Sequence, residues 1–138
     1  MQSARIVFAS AVLALGAAAA HAADQAPKPD KFVEKNEARL AERLKGRVAG
    51  EPVSCIPLIR SNRLEVIEGV ALVYDDGNTL YVARPTDSDM LRRDDVMVIE
   101  RTSSQLCNTD VVRTIDRSGG YMTGVIFLKQ FVPYKKQN

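Results

Sequence analysis

Clustered carboxylates and a pair of cysteines are the side chains in this sequence most able to do chemistry. The acids fall in three tight groups, Asp75-Asp76, Asp87-Ser88-Asp89 and Asp94-Asp95. Two carboxyls held about 5 to 9 Å apart across a cleft hydrolyse glycosidic bonds, and loops rich in carboxylate oxygen hold Ca²⁺. A carboxylate-dependent enzyme or glycan binder is therefore one reading. The local sequence favours a plainer one. Asp75-Asp76-Gly77-Asn78 has the composition of a tight hairpin turn. Asp94-Asp95 beside Arg92-Arg93 reads as a solvated charged loop, and no stretch has the full spacing of a calcium loop. No catalytic residue, cofactor or metal site is expected.

The single histidine, His21, lies in a segment that reads as a cleaved signal peptide. The remaining chain then has no imidazole, which removes Ser-His-Asp and Cys-His catalysis and every zinc site needing a His ligand. Cys55 and Cys107 are the only cysteines. In an exported chain they are expected to form one disulfide, which also removes a thiolate nucleophile.

Export itself is read from residues 1–22. Residues 1–5 carry one positive charge, 6–20 carry none, and Ala20-His21-Ala22 offers small residues at −3 and −1, so cleavage is expected after Ala22. The 15-residue apolar run is short for a membrane span. The 116 residues that follow suit one domain with one core and contain no transmembrane candidate. Their charge is nearly balanced, unlike that of a nucleic-acid binder. Residues 23–50 carry seven basic and five acidic side chains, 51–128 carry eight and twelve, and the end adds Lys129, Lys135 and Lys136. The body is acidic and both ends are basic.

These charges sit on simple elements. Residues 23–29, with two prolines, read as a disordered leader. Residues 30–47 are expected to form an amphipathic helix capped by Asp30 and stopped near Gly46. Its apolar stripe is Val33, Leu40, Ala41 and Leu44, interrupted by Glu37. Lys31, Lys35, Arg39, Arg43 and Arg47 recur every fourth residue and form a basic row. Like charges at this spacing oppose helix stability, so the row is the candidate contact for anionic lipid or an acidic partner, against the alternative of a solvated face.

From residue 51 to 134 the apolar period changes to two. Short β-rich runs begin near Val53, Arg63, Val70, Leu80, Val96, Val111 and Gly124. Pro57 demotes the first to an edge, and Pro133 is expected to end the last. Tyr134 then either covers an open end of the sheet or stands exposed. The fold expected is mainly β, a small antiparallel sandwich or partly open barrel of five to seven strands with one N-terminal helix. Residues 135–138 form a basic tail.

The stretch 55–134 resembles a family of small exported proteobacterial proteins that carries no assigned activity. The resemblance rests on Cys55-Ile56, on Val73-Tyr74-Asp75-Asp76-Gly77 with Leu80-Tyr81-Val82, on Ser104-Gln105-Leu106-Cys107 with Asp110, and on Phe131-Val132-Pro133-Tyr134. It implies a secreted domain and a disulfide but no function. The sequence thus leads to a periplasmic or secreted, non-enzymatic β domain serving as an interaction or envelope-associated module. Its partner is an envelope protein or an anionic lipid surface, not nucleic acid. The chief rival is an adaptor to an anionic membrane surface through the basic helix and the lysine tail.

Overall fold

The computed structural model describes residues 30–58, 63–101 and 103–137. The expected signal peptide and leader lie outside the described residues. The domain is mainly β, with ten strands among the described residues, all paired antiparallel, one helix at the N-terminal side and no closed barrel.

Helix α1, Lys31–Arg43, begins where Asp30 Oδ1 accepts the Phe32 N–H at 3.1 Å. Glu34 in its first turn and Arg43 in its last match the helix dipole. It is shorter than the expected 30–47. The chain reverses through Gly46, whose φ of 71° suits a residue lacking Cβ, and β1 (Arg47–Ala49) starts at once. The buried stripe also differs. Leu40 and Asn36 are buried, whereas Ala41 is exposed. Asn36 is tolerated inside because its Nδ2 donates to the Glu68 carbonyl at 2.8 Å.

The main sheet has the order β1-β10-β5-β4-β3, built from β3 (Leu64–Ile67), β4 (Ala71–Asp75), β5 (Thr79–Ala83) and β10 (Val132–Lys136) beside β1. Alternation along β4 and β5 divides the core in two. Val73, Leu80 and Val82 face the helix and meet Leu40. Leu72, Tyr74 and Ala83 face the other way, onto Ile56, Leu106, Val112 and Ile126 of the smaller sheets. Burial of both faces explains why these strands read as nearly continuous apolar runs.

One smaller sheet pairs β2 (Cys55–Pro57) with β7 (Gln105–Cys107), with Cys55 directly opposite Cys107 and the two joined by a disulfide. The other has the order β6-β8-β9, from β6 (Val96–Glu100), β8 (Val111–Ile115) and β9 (Met122–Ile126). The expected last strand is therefore two strands, β9 and β10. Pro133 does not end β10 but sits within it, opposite Tyr81. Its carbonyl accepts from Gly50 N at 2.7 Å, so the side on which a proline lacks its N–H faces the point where β1 stops. The proline therefore forgoes only the return bond to Gly50, beyond the end of β1, and no bond to β5 is lost. Tyr134, opposite Leu80, is half-buried against the helix-side core.

Candidate functional site

The five-residue basic row is split by the fold. Arg39 donates from Nη2 to Glu65 Oε1 at 2.6 Å. Arg43 reaches Glu65 Oε2 at 3.4 Å through Nε and Asp75 Oδ2 at 2.9 Å through Nη2. These two guanidiniums fasten the helix to β3 and β4. Lys31 and Lys35 stay exposed at the far end of α1, Lys35 beside a recess shared with Arg93. Arg47 is not helical at all.

Arg47 instead opens β1, directly opposite Lys136 of β10. The pairing carries the expected basic tail back to the end of the helix. With Arg63, they line an open cleft of about 620 Å³ whose other charged walls are Arg43, Glu65 and Asp75. Four cations thus face two carboxylates. Both carboxylates are engaged by Arg39 or Arg43.

The remaining cations have weaker partners. Arg47 Nη1 donates to the carbonyls of Asn78 at 2.9 Å and Tyr134 at 3.4 Å. Arg63 Nη1 donates to the Asp75 carbonyl at 3.3 Å. Among the described residues, neither these two nor Lys136 has a carboxylate within 4.0 Å. Burial pushes the Asp75 carboxyl upward, but the Gly77 N–H and the Arg43 and Arg47 guanidiniums prevail and hold it below its ordinary value. Asp75 therefore stays anionic and keeps Arg43 in place.

The other acidic groups serve the backbone. Asp75 Oδ1 accepts from Gly77 N at 2.8 Å in the β4–β5 hairpin, and Asp87 Oδ1 accepts from Asp89 N at 3.1 Å. Asp95 Oδ2 accepts the Thr123 hydroxyl at 2.8 Å. Asp110 Oδ2 accepts the Cys107 N–H at 2.8 Å, closing the loop after the second cysteine. Asp116 is held below its ordinary value by the Ser118 hydroxyl and the Gly119 N–H. Among the described residues, no three His, Cys, Asp or Glu side chains converge as metal ligands would.

A second recess of about 300 Å³ runs between α1 and β10, floored by Leu40, Leu44 and Val132. Arg84 bridges its rim by donating to both oxygens of Glu37, at 2.5 and 2.8 Å. Glu37, which interrupted the apolar stripe, is therefore a clamp between helix and sheet. Its partner, like Arg63 in the cleft, was not singled out by the sequence, since the spacing is 47 residues and no local pattern announces it.

No family model, no curated protein and no solved structure matches this chain.

Proposed function

We propose that the chain is a non-enzymatic interaction module of an exported envelope protein, and that it engages phosphate-bearing anionic surfaces through the cleft at the helix end. The carrying observation is the pairing of Arg47 with Lys136, with Arg63 as a third cation lining the same cleft. Like charges directly across a ladder destabilise it. Such an arrangement is useful where a multivalent anion offsets the repulsion. The Cys55–Cys107 disulfide supports an oxidising compartment, as do the features of residues 1–22 and the resemblance of 55–134 to small exported proteins. Periplasmic or secreted localisation belongs to the same reading. No helix among the described residues is long and apolar enough to cross a membrane.

Co-sedimentation with phosphatidylglycerol vesicles tests the proposal, with phosphatidylcholine vesicles as the neutral control. Each cation near an anionic surface contributes about 1 kcal/mol, and the attraction weakens as salt shortens the Debye length. Binding should appear at low salt and fall when Arg63 and Lys136 are both changed to Gln, with the melting temperature nearly unchanged. A wild-type protein that ignores anionic vesicles at low salt refutes this role for the cleft.

A further inference from the structure

The outward side of the β6-β8-β9 sheet breaks the usual rule for an antiparallel sheet with one buried face, whose outer positions are polar. Register places Val98, Arg113 and Val125 in its middle row. The next row holds Glu100, Val111 and, one position past β9, Phe127. The third row ends at Met122. Phe127 is 64% exposed and Met122 62%. Apart from Arg113 and Glu100, the positions of these rows are apolar and at least partly exposed, so covering the face removes apolar surface from water.

We infer that this face takes a second copy of the chain, about a two-fold axis that exchanges Arg113 with Glu100. These are the two charged side chains on the face, of opposite sign, on adjacent strands and one row apart. They already form a pair at 2.7 Å within one chain. A face carrying one acid and one base offset in this way is complementary to itself. An in-plane two-fold that interchanges their positions lays each guanidinium over the other chain's carboxylate, so the pair is buried with additional partners rather than stranded. A neutral apolar partner or a lipid would bury the same charges without that compensation.

The same axis has a second consequence. With strands about 4.8 Å apart and alternate residues about 6.8 Å apart, it passes within about 2 Å of the Phe127 position, and the strands of the two sheets cross at about 70°. Phe127, the most exposed aromatic on the face, then stacks on its own copy. Sheets are known to pack near-orthogonally as well as aligned. Three five-residue strands cover only about 15 by 17 Å, less than a standard stable interface. The association is therefore weak and concentration-dependent.

Sedimentation velocity of the purified protein from about 10 µM to 1 mM covers the affinity range of such an interface. The average mass should rise towards twice the 15.2 kDa of the full chain, or of its processed form. Phe127→Ser should hold it at monomer. Arg113→Glu should weaken association at least tenfold, and adding Glu100→Arg to it should restore association. Far-UV spectra and melting curves check that each variant folds. As a measurement independent of loss, Phe127→Cys should cross-link to its own copy under mild oxidation, while Val48→Cys, on an exposed site of the main sheet, should not. A wild-type monomer throughout the range overturns the inference, as does association that survives both Phe127→Ser and Arg113→Glu. Monomers that bind phosphatidylcholine vesicles through Phe127 would assign the face to lipid and overturn it equally.

Discussion

Arg47 and Lys136 stand directly opposite one another in the β1–β10 ladder, so two cations from opposite ends of the chain become neighbours. Arg47 turns its guanidinium to the carbonyls of Asn78 and Tyr134; Asp75 attracts it from further off, and no carboxylate among the described residues pairs with it or with Lys136 within 4.0 Å. Lys136→Glu should therefore stabilise the fold by about 0.2–1 kcal/mol, the range of cross-strand pairs. The same change should weaken binding to anionic vesicles. Thermal melts and co-sedimentation on one variant read both effects. A lower melting temperature would show that the pair is not a local strain on stability.

The disulfide is expected to contribute strongly. It closes a loop with a sequence separation of 52, for which the chain-entropy relation gives about 4 kcal/mol, and real bridges often contribute less. Changing both Cys55 and Cys107 to Ser should lower Tm by at least about 5 °C. The native protein should show no reactive thiol to a labelling reagent until it is reduced.

Asn36 anchors the helix through a single hydrogen bond to the Glu68 carbonyl. Asn36→Ala removes that bond and leaves a carbonyl short of a donor, at a cost of about 1–3 kcal/mol. Urea unfolding measures it directly. An exposed control, Lys35→Ala, should change stability by less than about 0.5 kcal/mol.

Glu37 carries a pH dependence. The Arg84 hydrogen bond, aided by its charge and opposed by burial, lowers the Glu37 carboxyl below its ordinary 4.5. A group depressed in the folded state contributes stability above its unfolded value and loses it as pH falls through the folded one. The clamp should therefore hold at neutral pH and weaken in acid below about pH 4.5. Both side chains are partly exposed, so the effect is at most about 1 kcal/mol and shrinks with salt. The stability difference between wild type and Glu37→Gln, followed by melting from pH 7 to pH 3, should shrink towards the acid end.

Of the candidate site, the basic residues themselves were legible in the sequence, and their employment was not. The four-residue spacing singled out Arg39, Arg43 and Arg47, and charge counting singled out the lysine end. Glu65, which takes both Arg39 and Arg43, lies 26 and 22 residues from them, and Lys136 lies still further from Arg47. No pattern within a few residues encodes such partners.

By itself the sequence determined what short-range physics controls. The helix starts after Asp30 because a carboxylate caps its first turn, and the chain turns between β4 and β5 because Asp75 and Gly77 supply the backbone bond and the positive φ. Short β-rich runs marked β4, β5, β6 and β8, and two cysteines allow one intramolecular bridge. The tertiary structure alone decided strand order, the placement of Pro133 inside β10, the three-residue strands β1 and β7, and the sorting of cations into tethered and available ones. The physical reason is the same in each case. A strand's period says which side chains share a face, but ladder bonds are made equally well by any backbone of matching register. The choice among partners rests on side chains that meet only after the chain has folded.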